Sequence, residues 1–219
     1  MTLPARGFAT AWLNVSLASG SDEQRPQMYR TVLVEVFERA VRLVAADGVM
    51  LLTATVKVDD GDLDVPDSAV ADEHYIVIDH DGRMRNLMSW VLRDAVAADK
   101  SGLEPTQVVV EVRSGERPSM PTLSPDFDRQ VMVVGSDREQ LDLDLYGGRY
   151  LEWQQLFAGR KLEPTPKVGF SPAMLGRFGK LRDLAHPVVF HLAGTDGSAQ
   201  FEIGCEPPIL GLLMPCLVR

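Results

Sequence analysis

One motif order recurs three times along this chain: a short strand, a helix, then three strands. A recurring unit of this kind cannot bury its apolar face alone. The fold must therefore be an array of packed copies. The first copy opens with Thr2-Leu3-Pro4 and a helix over Gly7–Ala18, with Phe8, Ala11, Trp12, Val15 and Leu17 near helical spacing. Turn formers from Ser19 to Pro26 end it, and β-rich runs follow at Thr31–Phe37, Val41–Ala45 and Met50–Val58. Asp47-Gly48 marks a hairpin between the last two. A polar, Asp-rich connector runs from Asp59 to Glu73.

The second copy has a strand at His74–Asp79 and a helix at Arg83–Ala98, with Met84, Leu87, Met88, Val91, Leu92 and Ala95 on one face. Its strands are Gln107–Val112, Gln130–Val134 and Gln140–Leu145, the first two separated by a long Pro/Ser-rich loop read as mobile. The third copy has a strand at Lys167–Phe170, then Ser171 as N-cap with Pro172 at the first helical position. That helix is expected to reach about Leu184, followed by strands Val188–Leu192, Gln200–Cys205 and Leu210–Val218. The pattern is that of an α+β fold.

The chain has 219 residues, enough to bury a real core, and its 45% hydrophobic and 24% charged residues are ordinary for a soluble protein. No apolar run reaches membrane-spanning length and no signal-peptide layout opens the chain, so a cytoplasmic protein is expected. Cys205 and Cys216 form no disulfide framework and no zinc site, and free thiols are expected. The net charge of −9 argues against nucleic acid if taken as a sum. Distribution matters more than the sum, because phosphates see only the surface that faces them.

Candidate chemistry is sparse. The four histidines are scattered, and Asp79-His80-Asp81-Gly82 reads as a strand-to-helix turn better than as a metal loop. There is no phosphate-binding Gly-Lys-Ser/Thr loop and no Gly-x-Ser-x-Gly elbow. Cys216 lies on an apolar strand and reads as packing. No enzyme activity, cofactor or metal is expected.

Four segments resemble one family. Thr2–Phe8 with Val15–Ala18 resembles the opening of a domain in the bacterial replicative beta sliding clamp, and so does Thr31–Val36 followed by Val41–Gly48. Tyr146-Gly147-Gly148-Arg149-Tyr150-Leu151 through Leu156 looks like the segment that ends the family's middle domain. Leu212-Leu213-Met214-Pro215-Cys216-Leu217-Val218-Arg219 resembles its C-terminal run. The four occur in family order over most of the chain. The family threonine before Asp-Gly is Ala46 here, and its often polar next two residues are Val49 and Met50.

The resemblance implies a DNA-clamp fold, with helices lining a ring and sheets outside. It implies a complete domain at 1–158, built of half-units 1–70 and 71–158, and a C-terminal half-domain at 159–219. It implies a processivity factor that encircles duplex DNA and holds a polymerase and a clamp loader by short linear motifs. The DNA-facing residues would be Arg6, Arg25, Arg83, Arg85, Arg93, Lys100, Arg177, Lys180 and Arg182. Without the resemblance, solvated helix faces would account for them. The partner-peptide pocket would be walled by Ala46, Gly48, Met50 and Leu51 with Leu212, Met214, Pro215 and Cys216. Rings of this family contain twelve half-units, so three per chain implies a head-to-tail homo-tetramer, with a dimer or trimer as alternatives. Heavy use of Arg over Lys suggests a GC-rich coding source, and the compact length suggests a phage-encoded version. The rival reading is a clamp-like decoy that binds a host clamp or loader without closing a ring.

Overall fold

The computed structural model describes residues 1–20, 26–58, 65–66, 68–79, 81–103, 106–114, 130–136, 139–158, 167–182, 186–194 and 197–216. Arg25, His80, residues 59–64 and 67 of the Asp-rich connector, the Pro/Ser-rich loop after Ser114 and the last three residues lie outside that set.

The first copy comprises β1 (Thr2–Pro4), α1 (Ala5–Val15), β2 (Thr31–Phe37), β3 (Ala40–Ala46) and β4 (Met50–Lys57). The second comprises β5 (Glu73–Ile78), α2 (Arg83–Ser101), β6 (Gln107–Ser114), β7 (Gln130–Gly135) and β8 (Gln140–Asp144). A short helix α3 (Trp153–Phe157) leads to the third copy: α4 (Pro172–Phe178), β9 (Val188–His191), β10 (Ala199–Ile203) and β11 (Ile209–Leu213).

The β-rich runs of the first copy pair as an antiparallel meander because turn residues separate them at hairpin distance. Gly48 at the β3–β4 turn has φ +84°, a conformation that favours glycine. Asp47 fixes the same turn, its Oδ1 accepting from the amides of Val49 at 3.0 Å and Met50 at 2.9 Å.

The copies do not keep their first strands. β1 pairs with β6 of the second copy, Leu3 opposite Val108, while β5 pairs with β2 of the first, Val77 opposite Val32. Two sheets result, β1-β6-β7-β8 and β5-β2-β3-β4-β11-β10-β9. The third copy extends the second sheet through the β4–β11 pair, Leu51 opposite Leu212. Its own first strand is reduced to one bridge, Gly169 to Cys216.

α1, α2 and α4 draw on one core. α2 buries Met84, Leu87, Met88, Val91, Ala95 and Ala98, at helical spacing. Asp79 caps its start, Oδ1 accepting from Met84 N at 3.0 Å and Oδ2 from Arg85 N at 3.2 Å. Burial nevertheless pushes the Asp79 pKa above its ordinary value, the two backbone bonds opposing that shift. α1 starts at Ala5, two residues before the expected start, and tightens into a 3-10 turn over Ser16–Ala18. Every residue from Phe8 to Val15 is buried. It packs along α2, and Asn14 reaches the segment after α4, accepting from Arg182 N at 2.6 Å. α4 is shorter than expected, ending at Phe178, and the Ser171 hydroxyl makes no capping bond although Pro172 opens the helix.

On the opposite face of the second sheet, Leu33, Val44, Ala46, Leu51, Ile76, Trp153 and Leu212 form a separate buried cluster. α3 and the chain from Tyr146 cover it. No described helix is long and apolar enough to cross a membrane.

Candidate functional site

Two surfaces hold the residues singled out from the sequence. The first is the helical face. Arg83, Arg85, Arg93 and Lys100 on α2 are exposed, as are Lys180 and Arg182 after α4. The end of α1 organises two of them. Arg85 donates to the Ser16 carbonyl at 3.2 Å, where a helix terminus presents unpaired carbonyls and negative partial charge. Two residues earlier, Asn14 holds the main chain of Arg182 from both sides, its Nδ2 donating to Arg182 O at 3.3 Å. Arg85 and Arg182 thus flank one helix end.

The remaining cations differ in their engagement. Arg6 lies inside α1 and pairs with Asp99 at 2.9 Å, both half exposed. Arg83 pairs with Asp81 at 2.6 Å. Arg93 stacks over Trp90 with 4.0 Å from guanidinium carbon to ring centroid, and that indole is itself exposed. Arg177 is engaged inward, its guanidinium meeting Asp47, which is 2% exposed. It thereby staples α4 to the β3–β4 turn. Apart from Arg6 and the neighbouring Gly7, α1 offers little to solvent, so a face built on these helices depends on α2 and the α4 segment.

Asp81, Asp94 and Asp99 share the helical face with these cations, and further acids sit on the sheet. Gln140, Asp142 and Asp144 alternate along the exposed face of β8, with Leu143 on the buried one. A cleft of about 360 Å³ beside α2 is lined mainly by apolar groups, Leu87, Trp90, Val91 and Leu103 among them, with Asp94 and Glu139 at its polar side.

The second surface is the outer face of the β4–β11 junction. Ala46, Leu51 and Leu212 share the outer cluster, and Met214 beyond them is exposed. Gly48 is exposed at the turn, where a Cβ would stand 3.8 Å from the Tyr29 ring. Met214 N donates to Val49 O at 2.9 Å and Cys216 N to Gly169 O at 2.7 Å, which carries Pro215 and the chain end along the same edge. Met50 does not share this face. Its side chain points to the helical side, beside Leu17, Phe178 and Leu181, because neighbouring residues of a strand face opposite ways.

Three tyrosines belong to this wall that sequence reasoning did not place in it. Tyr29, Tyr146 and Tyr150 pack against the cluster together with Leu151 and Phe157. The Tyr150 hydroxyl donates to Val44 O at 3.3 Å. Burial pushes its pKa well above the usual phenol value, with a backbone bond from Ala46 opposing. The signal is present in the Tyr146–Leu156 segment, which carries Tyr146, Tyr150 and Leu151.

Beneath α3 lies a buried polar network. Glu35 and Arg42 are cross-strand neighbours, 3.5 Å apart and 8% and 1% exposed. Glu35 accepts from Trp153 Nε1 at 3.1 Å and from Gln154 Nε2 at 3.2 Å. Arg42 donates to the carbonyls of Val65 at 3.0 Å and Pro66 at 2.7 Å. This pair pins α3 and the middle of the connector to the sheet.

Paired meanders that exchange their first strands, with helices on one side and sheets on the other, define the DNA-clamp fold. The solved structures that match are DNA polymerase III beta sliding clamps. A candidate beta subunit from Eubacterium rectale matches with TM-score 0.63 at 11% identity, over 100% of this chain and 65% of that one. A Pseudomonas aeruginosa sliding clamp bound to griselimycin matches with TM-score 0.63 at 12% identity, again over 100% and 65%. Another structure of the P. aeruginosa clamp, with ligand, gives TM-score 0.60 at 12% identity over 100% and 66%. The chain thus spans about two thirds of the length of these clamps. No protein-family model matches the chain, and no curated protein does.

Proposed function

We propose that the chain is a sliding clamp subunit: a non-enzymatic processivity factor that closes a homo-oligomeric ring on duplex DNA and holds polymerase and loader by short peptide motifs. The observation that carries this reading is the match of the whole chain to DNA polymerase III beta sliding clamps, first strands exchanged and helices on one side. In this reading residues 1–158 are one complete domain and 159–219 half of another.

The charge distribution supports it. Arg83, Arg85, Arg93, Lys100, Lys180 and Arg182 are exposed on the helical side, and the β8 acids are exposed on a sheet. A lining of scattered cations attracts phosphates without reading bases, which suits a tether that must slide. Arg177 is assigned instead to the staple on Asp47. The peptide site is the groove formed by Ala46, Gly48, Leu51, Leu212, Met214, Pro215 and Cys216, with Tyr29, Tyr146 and Tyr150 beside it. Apolar and aromatic walls suit peptide anchors.

The test separates encirclement from adhesion. The chain is mixed with linear plasmid, onto whose ends a closed ring can thread; the plasmid is ligated into a circle, washed in about 0.5 M salt to remove phosphate-only contacts, and then linearised again. Retention on the circle with release on linearisation is the expected result. Retention that salt alone abolishes would replace the ring by a basic-patch binder. Absence of retention, with capture of an intact bacterial clamp, would establish the decoy.

A further inference from the structure

The third copy is incomplete by the chain's own standard. In the first two copies the opening strand of each β-meander is covered by a first strand donated from the other copy, and the covered residues Val32 and Val108 are 2% and 0% exposed. Among the described residues no strand lies on the outer edge of β9, which has β10 on its other side only. Val188 and Phe190, on its helical face, are half-buried. A bare strand edge presents unpaired amides and carbonyls ready to take another strand.

The donor is also present. β5 bridges the end of its own copy's last strand, Val77 to Leu145, while its other edge crosses to β2. Residues 167–170 do the first of these: Gly169 bridges Cys216, just past β11. They do not do the second, since β9 of the same chain has no described strand on its outer edge. One half-unit therefore holds a free donor strand and a free acceptor edge. Among the described residues α4 likewise has no counterpart to the α1–α2 pair on its exposed side, where Leu175 is 42% exposed.

We infer that the third half-unit docks the third half-unit of a second copy about a two-fold axis, each donating residues 167–170 to the other's β9, so that two chains complete one domain. A donor and an acceptor on the same surface satisfy each other twice under that symmetry, the condition for an isologous interface. The register follows from side-chain direction. Leu3 opposes Val108 and Val77 opposes Val32, all on the helical face. Phe170 and Val188 are the helical-face residues at the same places, so Phe170 opposes the second copy's Val188, and Gly169 its Val189. Val189, 43% exposed, lies on the outer face. The inference deepens the ring reading, and rests on it only for what the joined chains enclose.

The test is a reciprocal crosslink in the full chain. Gly169→Cys and Val189→Cys are combined in a Cys216→Ser background, because Cys216 lies beside Gly169 and would capture it within the chain. Opposed residues of antiparallel strands stand within disulfide reach. On mild oxidation the double variant is expected to run as a covalent dimer on a non-reducing gel, and each single variant as a monomer. As a second variant that leaves the strand intact, Leu175→Arg, on the side of α4 that the second copy would cover, is expected to halve the solution mass measured by light scattering with an unchanged circular dichroism spectrum. An assembled but uncrosslinked double variant, or a Leu175→Arg mass equal to that of the parent, overturns the inference. The plasmid experiment is read separately. A covalent dimer that fails to stay on circular DNA would preserve this interface and sink the clamp reading. Retention without crosslinking would do the reverse.

Discussion

Arg42 is the side chain on which the outer face of the sheet depends. Its guanidinium meets Glu35 and two connector carbonyls, lies 5.0 Å from the Phe37 ring centroid and 5.3 Å from that of Trp153. Removing one partner of a buried pair leaves the other charge without compensation. Arg42→Ala is therefore expected to cost about 3–5 kcal/mol in urea unfolding. Replacing Glu35 and Arg42 together by apolar residues should restore much of it. Tyr150 supplies a different signature. Its folded pKa is raised by burial, so the stability it contributes is full below the unfolded phenol value of about 10 and is lost as pH rises through the folded value. Tyr150→Phe should lose about 1 kcal/mol at neutral pH with the bond to Val44 O, and should unfold less steeply than the parent in alkaline titration. Neither residue is legible as a network from the sequence. Glu35 and Arg42 become neighbours only once the hairpin register is fixed. Met50 and Leu51 show the opposite case, since strand alternation alone separates their faces.

Elements are legible in proportion to the strength of their periodicity. β2 is expected over Thr31–Phe37 and spans those residues, because a run of apolar and β-branched residues broken only by Glu35 ends at a two-residue turn. α2 is expected from Arg83 and extends three residues past Ala98 to Gly102 in the left-handed conformation. The five-residue α3 escapes detection, being shorter than any window in which a helical period can be counted. The first strand of the third copy is expected over Lys167–Phe170 and shows a bridge at Gly169 alone, for want of a partner among the described strands. The β4–β11 junction joins the third copy to the rest, and it leaves no room at Gly211. A Cβ there would meet the Phe201 ring and stand 2.7 Å from Leu51 O. Gly211→Ala is expected to destabilise the chain by about 1–3 kcal/mol through overpacking, read as a lower urea midpoint. Alanine at exposed Gly176 should cost nothing of the kind.

At the scale of the molecule, strand exchange makes the first two copies inseparable. The repeat itself is readable in the sequence, whereas the exchange is not, because propensity gives strands without naming their partners. Exchange also sets when the fold can form. Thr2 finds its partner at Val109, and Leu51 finds Leu212. A chain made at about 5–20 residues per second leaves its first strand unpaired for roughly 5–20 seconds before β6 exists. The second sheet waits longer still, for β11 near the other terminus. Closing loops of that length is entropically slow, and a high proportion of distant contacts lowers folding rates by orders of magnitude. Birth on the ribosome is thus the hazardous stage for this protein, with apolar strand edges exposed until nearly the whole chain has emerged.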